Sequence, residues 1–267
     1  MEKIFGVLVT YNPDLVNLKR NIESIISQVD RLILFDNNSV NKEAIRELQD
    51  SLGFEVIFSP KNVGLSKAYN DSIFPYLDQS EFFVTFDQDT LIPQNAIQSL
   101  LSLIEKDSTI GVIGPVFSRE DAFVSTQGVV DYVPVIIQSC AIFRSSAIRR
   151  IGGFNEDYFI DSVDFEYCLR LLDNQYKVAI YNGVSIKHEL GTPKKFFGIE
   201  YYAHNKLRNY YIARNHVDLS KNFFKRHPVF ILKKNVSFLI HFCKLVIFEK
   251  DSEKVKYFLK GIKNQAL

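Results

Sequence analysis

Long apolar runs are missing from this chain. Hydrophobic residues make up 46% of its 267 positions, yet the longest candidate for a membrane span, residues 230–248, is interrupted by Lys233, Lys234, His241 and Lys244, which excludes a clean transmembrane helix. The apolar run 4–9 is too short for a signal peptide and is stopped by Asn12-Pro13-Asp14. Cysteine is scarce as well. Cys140, Cys168 and Cys243 are odd in number, far apart and set among apolar residues, which argues against a disulfide framework or a zinc site and for reduced thiols in a core. No internal repeat or low-complexity linker is present, and the apolar content excludes a disordered chain.

Net charge is nearly absent at +1, but its distribution is uneven. After Ser220, eleven lysine and arginine residues stand against three acids, a net +8, so the first 220 residues carry −7. An acidic body with a basic tail implies an anionic partner for the tail, such as a membrane surface or a nucleic acid.

What is abundant is alternation. Apolar, β-rich runs at 4–10, 32–35, 55–58, 82–86 and 111–117 are separated by segments of helical period at 15–28, 42–51, 65–77 and 93–106. That order predicts an α/β fold, a Rossmann-like, mostly parallel central sheet covered by helices through right-handed crossovers. Pro93 suits a first helical turn. Beyond Asp121 the pattern changes: a strand over 136–143, a short helix over 145–151, a Gly152-Gly153-Phe154 turn and a helix over 162–172. A closing pair of strands follows at 177–181 and 184–188, and a C-terminal helical extension completes the chain. Residues 1–115 then read as a nucleotide half and 116–220 as an acceptor half of one domain, with 221–267 a basic amphipathic tail.

Polar clusters fall after each of the first four strands: Thr10-Tyr11-Asn12, Asp36-Asn37-Asn38-Ser39, Asn62-Val63-Gly64 and Asp87-Gln88-Asp89. Each alone is ordinary turn chemistry. In an open α/β sheet, however, all four lie at the edge where ligands bind. Asp87 and Asp89 are hard oxygen donors that suit Mg²⁺ or Mn²⁺ bridging to phosphate. A second constellation, Phe159-Ile160-Asp161-Ser162-Val163-Asp164-Phe165-Glu166 with Arg170, opens the helix at 162. Spacing places Asp161 and Asp164 on one helical face and pairs Glu166 with Arg170. Asp161 as a helix cap and Asp161 as an active acid both stand, whereas Asp164 lies in the first turn, where a carboxylate stays ionised and can accept a proton. His188 ends the last strand, where it is either a structural residue or a metal ligand completing the Asp89 site.

Taken together, these motifs over residues 3–220 resemble family 2 glycosyltransferases of the GT-A fold. Asp-Gln-Asp at 87–89, Phe-Ile-Asp-Ser-Val-Asp-Phe-Glu at 159–166 and His-x-x-Gly at 188–191 look most like bacterial rhamnosyltransferases that build O-antigen and capsule. The resemblance implies that Thr10, Tyr11, Asn12, Asp36 and Asn38 surround the nucleoside, and that Asn62, Gly64 and Gln88 lie by the nucleotide and sugar. It further implies that Asp87 contacts ribose or metal, that Asp89 and His188 ligate the divalent ion, and that Arg214, beside Asn215, covers the diphosphate. Asp164 matches the family's base, but Val163 replaces the first acid of the usual pair, so Asp161 remains an alternative base.

The implied reaction is an inverting, metal-dependent transfer of a sugar, L-rhamnose from dTDP-L-rhamnose, to a hydroxyl of a lipid-linked oligosaccharide. A UDP-hexose donor and a non-catalytic nucleotide-sugar-binding subunit are the alternatives. A nucleotidyltransferase is disfavoured because Thr10-Tyr11-Asn12-Pro13 is not a glycine-rich basic phosphate loop. On a helical wheel of 228–248, Leu232, Val236, Leu239, Ile240, Cys243, Val246 and Ile247 form a broad apolar face, with Lys233, Ser237, His241 and Lys244 as a polar strip. That face packs on the body, joins a homodimer, or lies on an anionic membrane, which with the lipid-linked acceptor implies a cytoplasmic protein peripheral on the inner face of the cell membrane. The apolar face beside those lysines speaks against nucleic acid.

Overall fold

The computed structural model describes residues 2–118, 122–187, 194–196 and 199–265. Four parallel strands, β1 (Glu2–Thr10), β2 (Arg31–Asp36), β3 (Glu55–Phe58) and β4 (Ser80–Phe86), lie in the order β3-β2-β1-β4. The helices α1 (Leu15–Ile26), α2 (Lys42–Leu52), α3 (Leu65–Ile73) and α4 (Ala96–Lys106) connect or follow them. The apolar runs of the strands reflect burial of both faces. Along β1, Ile4 and Leu8 pack with Leu18, Ile22 and Leu100 of α1 and α4, while Phe5 and Val7 face the opposite core with Tyr69 and Ile73 of α3.

The sheet continues without a break past residue 115. β5 (Ile110–Ser118) runs parallel to β9 (Lys177–Lys187), and β8 (Ala141–Arg144) is inserted antiparallel between β4 and β5. The short β6 (Phe123–Val124) and β7 (Val130–Tyr132) both pair antiparallel with β9. Helices α5 (Ser145–Ile151) and α6 (Val163–Asp173) cover the face that carries Phe83 and Phe143.

Several boundaries differ from those the sequence implies. The strand expected over 136–143 survives only as β8, because Cys140 takes a left-handed conformation at φ +54. The amide of Cys140 donates to the Thr85 carbonyl at 2.7 Å, and the Thr85 hydroxyl donates to the carbonyl of Gln138, so the chain leaves the sheet there. The two strands expected at 177–181 and 184–188 are one strand, β9, bulged where its partner register jumps from Pro115↔Tyr181 to Val116↔Ser185. Pro75 lacks an amide proton, and α3 accordingly stops at Ile73 and tightens into a 3-10 turn at Phe74–Tyr76. Pro93 precedes α4 rather than opening it: its carbonyl accepts from Ala96 N in the turn before the helix.

β10 (Lys194–Phe196) and β11 (Ile199–Tyr201) form a separate hairpin. Three helices complete the chain: α7 (Lys206–Phe223), α8 (Pro228–Lys244), which passes through a π turn at Leu245–Glu249, and α9 (Ser252–Ile262). The division drawn at residue 220 falls inside α7. Helix α8 packs on α7 through Ile231, Asn235, Phe238 and His241, which recur at helical spacing. The Asn235 amide oxygen meets His216 Nε2 at 2.9 Å, Phe238 stacks on His216 with centroids 4.1 Å apart, and His241 Nε2 lies 2.8 Å from the Asn209 amide oxygen. The aliphatic face of α8 therefore points away from the body. Leu232, Val236, Leu239, Ile240 and Ile247 are each more than half exposed, Val246 and Leu259 nearly so, and Cys243, expected in a core, is exposed with them. Cys140 and Cys168 are buried as expected.

Helix α9 closes on α7 at Gly261, where a β-carbon would stand 2.3 Å from the carbonyl oxygen of Tyr210. Gly261→Val is expected to cost about 1–3 kcal/mol of local stability through overpacking. Hydrogen exchange would then accelerate across α9 while amides of β1 and β4 keep wild-type protection. Equal protection of α9 in both proteins would show that this contact does not hold the helix.

Candidate active site

The C-terminal ends of β1, β2 and β4 bring three of the predicted clusters together. Thr10 and Asp36 are fully buried side by side: the Thr10 hydroxyl donates to Asp36 Oδ1 at 3.4 Å, and Ser39 N donates to Asp36 Oδ2 at 3.1 Å. Asn12 N donates to the Ser39 hydroxyl at 2.8 Å, its amide oxygen accepts from Val40 N at 2.9 Å, and Asn38 accepts from Lys42 Nζ at 2.9 Å. The loop after β3 is tied in by a residue the sequence reading left without a role. Asn37 accepts from Val63 N at 2.7 Å and donates to the Gly64 carbonyl at 3.3 Å, while Asn62 Oδ1 accepts from Gly64 N at 3.0 Å. Gln88 Oε1 accepts from Tyr11 N at 2.8 Å and Asn21 donates to the Asp87 carbonyl at 2.8 Å, so the acidic loop is fixed to β1 and α1.

Asp87, Gln88 and Asp89 line a cleft of about 820 Å³. Its second wall is the segment 160–165, and its third is made by Tyr202, His204 and Arg208 at the start of α7 together with Lys234 of α8. Gly64 explains how the second wall comes so close to the first. At φ +84 it lies against Phe159, whose ring carbon would be 2.6 Å from any added β-carbon. Leu65 N donates to the Phe159 carbonyl at 2.6 Å, and the Ser66 hydroxyl to that of Tyr158 at 2.7 Å.

The two candidate acids are held very differently. Asp161 and Ser162 both adopt left-handed backbone, at φ +66 and +62, so Asp161 precedes α6 and does not share a helical face with Asp164; no side chain caps this helix. Such conformations cost on the order of 1–3 kcal/mol each and need external bracing. Asn215 supplies it, donating to the carbonyls of Ile160 and Asp161, each at 2.8 Å. The Asp161 carboxylate is gripped by the Arg208 guanidinium at 2.9–3.2 Å. Asp164 is met by backbone instead, accepting from the N–H of Phe165 at 2.9 Å. Burial pushes its carboxyl up to about 7, against the lowering effect of that hydrogen bond and with help from the nearby charges of Asp87 and Asp161. A carboxyl poised near neutrality in a cleft is a candidate general base. Glu166 and Arg170 pair in fork geometry at 2.7 and 2.9 Å, and Arg170 also donates to the carbonyls of Ile151 and Gly153, a structural tie between α6 and the preceding turn.

Other candidates fall outside the cleft. Arg214 does not line it; Arg208, nearly two turns earlier on α7, does. His188 and Gly191 lie outside the described residues. Among the described residues no group of three or more metal-ligating side chains is assembled. The hard carboxylates of Asp87 and Asp89 are nevertheless the donor set for an ion that takes its remaining ligands from water and substrate phosphate.

Comparisons with known proteins bear on the fold and the family. The dTDP-rhamnosyl transferase RfbF of Shigella flexneri is 29% identical over an alignment of 281 positions covering 97% of this chain and 93% of its own. The mannosyltransferase PcManGT from Pyrobaculum calidifontis, solved in complex with GDP-Man and Mn²⁺, is similar in fold at a TM-score of 0.61 and 16% identity, over 98% of this chain and 74% of that one. GalNAc-T7, solved with UDP, GalNAc and Mn²⁺, gives a TM-score of 0.59 at 12% identity, over 85% of this chain and 55% of that one. The fold is GT-A. Residues 7–161, which build β1 to β4 and reach Asp161, match the family described as glycosyl transferase family 2, and the chain belongs to that family.

Proposed function

We propose that the protein transfers L-rhamnose from dTDP-L-rhamnose to a hydroxyl of a lipid-linked glycan intermediate, with inversion at the anomeric carbon. The observation that carries the chemistry is Asp164, a near-neutral carboxyl facing the acidic loop of β4 across the cleft while its rival Asp161 is held by Arg208. The choice of donor sugar is supported by the similarity to RfbF over nearly the whole of both chains.

In this reading Thr10, Tyr11, Asn12, Asp36 and Asn38 surround the nucleoside, and Asn62, Gly64 and Gln88 border the sugar. Asp164 accepts the proton of the acceptor hydroxyl as that oxygen bonds to the anomeric carbon. The bond from that carbon to the diphosphate oxygen breaks, and dTDP departs from the opposite face. A single displacement needs one base. Asp87 and Asp89, with His188, would hold a divalent ion, Mg²⁺ or Mn²⁺, whose charge would offset that of the departing diphosphate. The two structural relatives were solved with Mn²⁺.

The outward face of α8 supports a lipid-facing role at the inner face of the cell membrane. Exposed apolar patches of this extent mark interaction surfaces, and no helix of the described residues is long and apolar enough to cross a membrane. Lys233, exposed on the same helix, favours anionic lipid at about 1 kcal/mol near the surface.

Asp164→Asn is expected to bind donor normally and to transfer on the order of 10²–10⁴ times more slowly. In the wild type, kcat/KM for acceptor should fall as pH drops through about 7, because the base is lost on protonation. A variant Asp161→Asn that is inactive beside a working Asp164→Asn would reverse the assignment. A panel of nucleotide sugars, scored by thermal stabilisation with Mn²⁺, should select dTDP-rhamnose; selection of a UDP-hexose would change the donor and leave the family intact.

For the tail, wild-type protein should sediment with phosphatidylglycerol vesicles but not with phosphatidylcholine. The double variant Val236→Glu, Leu239→Glu should lose that binding by on the order of tenfold or more. A wild type that ignores vesicles and elutes as a dimer, which the variant dissolves, would favour the second copy instead.

A further inference from the structure

Lys234 is a cleft cation that neither the sequence motifs nor the family match accounts for. It lies well beyond residues 7–161, on the C-terminal helix α8, yet lines the same cleft as Asp164. Its neighbour Lys233 is exposed on the outer side of the helix, whereas Lys234 is half-buried. Removing an ammonium from water is costly unless it is paired. Lys234 makes no ion pair with another described residue; its ammonium rests over the ring of Phe165, 4.2 Å from the centroid. That contact offsets only part of the desolvation cost. Burial lowers the pKa of Lys234, and only the charges of Asp164 and Asp161 push it back up.

Those two neighbours locate the ammonium. Seated over Phe165, the residue next to Asp164, it faces the base side of the cleft. Arg208, the other permanent cation of the lining, is already occupied by Asp161. An uncommitted, half-desolvated cation on the acceptor side is suited to an anion that arrives with the acceptor. The outward aliphatic face of the same helix lies about one helix diameter away, roughly 10 Å, a distance that a phosphate at a lipid surface can span.

We propose that Lys234 is a substrate-binding residue that holds a phosphate group of the acceptor, so that α8 meets the lipid with one face and the anionic linkage of the acceptor with the other. This rests on the glycosyl-transfer reading above for the identity of the acceptor side, but its test does not require turnover.

The probe is undecyl diphosphate, titrated below its micelle concentration with dTDP and Mn²⁺ in excess to fill the donor side; undecyl maltoside is the neutral control. Lys234→Gln is expected to weaken diphosphate binding on the order of tenfold or more, the usual effect of deleting a charge-assisted contact. Lys234→Arg should stay within a few-fold of wild type, and maltoside binding should be unchanged in both. Unaltered thermal unfolding of Lys234→Gln establishes that the fold persists; if it is lost, Lys234→Arg and Lys234→Met carry the comparison. Equal diphosphate affinity in wild type and Lys234→Gln overturns the proposal, as does a loss that maltoside shares. A third overturning result is a shifted pH profile of kcat with acceptor KM unchanged, which would make Lys234 a partner of Asp164 alone. Binding to phosphatidylglycerol vesicles that falls in Lys234→Gln while undecyl diphosphate affinity is kept would assign the lysine to the membrane headgroup and also overturn it. Failure of the wild type to bind dTDP-rhamnose with Mn²⁺ would count against the rhamnosyl-transfer reading and leave the diphosphate result interpretable.

Discussion

The site depends on how residues 158–162 are seated between α3 and α7. On one side, Gly64 lets the backbone of the β3–α3 loop press against Phe159, and Leu65 N and the Ser66 hydroxyl bind the carbonyls of Phe159 and Tyr158. On the other side, Asn215 braces the carbonyls of Ile160 and Asp161, the Phe159 ring stacks on Tyr211 at 4.9 Å, and the Tyr158 hydroxyl donates to Asp218 at 2.7 Å. Two consecutive left-handed residues are tolerated because both flanks over-determine them. Without that clamp the first turn of α6 would have no fixed relation to the β4 edge, and Asp164 would not face Asp87 across a defined gap.

The same constraint explains which parts of the site were legible in the sequence. The polar ends of β1, β2, β3 and β4 were, because a parallel sheet buries both faces of each strand and leaves a sharp apolar-to-polar boundary at its C-terminal end. Asp161 and Asp164 were not separable. Three residues apart, they read as one face of one helix; what distinguishes them is the φ of +66 at Asp161 and an arginine 47 positions away. Arg208 went unnoticed for a related reason: along α7 only the phase of the helix against the cleft decides which arginine lines it, and a linear motif carries no phase. The strand expected over 136–143 was lost to Cys140, whose left-handed backbone has no signature in an apolar run.

Helix α8 illustrates a further limit. Its periodicity was readable, and so was the composition of its faces, but the direction of each was not. Aliphatic residues normally turn inward because burying each is favourable by roughly 1.5–3 kcal/mol. Here the inward row is Ile231, Lys234, Asn235, Phe238 and His241, matched by His216, Asn209 and Phe258 on α7 and α9. Polar and aromatic complementarity on the inner side fixes the helix, and the aliphatic side is left for another surface. A wheel that shows a broad apolar face therefore identifies an amphipathic helix without saying whether that face meets the protein core.

The inner row also ties the tail to the chemistry. Four carboxylates line the cleft at Asp87, Asp89, Asp161 and Asp164, and Asp161 is paired with Arg208. Asp164 is kept near neutrality by burial first and by the charges of Asp87 and Asp161 after it, while Lys234 pulls in the opposite direction from α8. The ionisation of Asp164 is thus set by groups on three separate elements: the β4 edge, the braced turn before α6 and the C-terminal helix. Neutralising Asp87 from the donor side removes one of the two charges that hold the proton on Asp164. On the proposed function, filling the donor side would therefore favour the ionised form of the base.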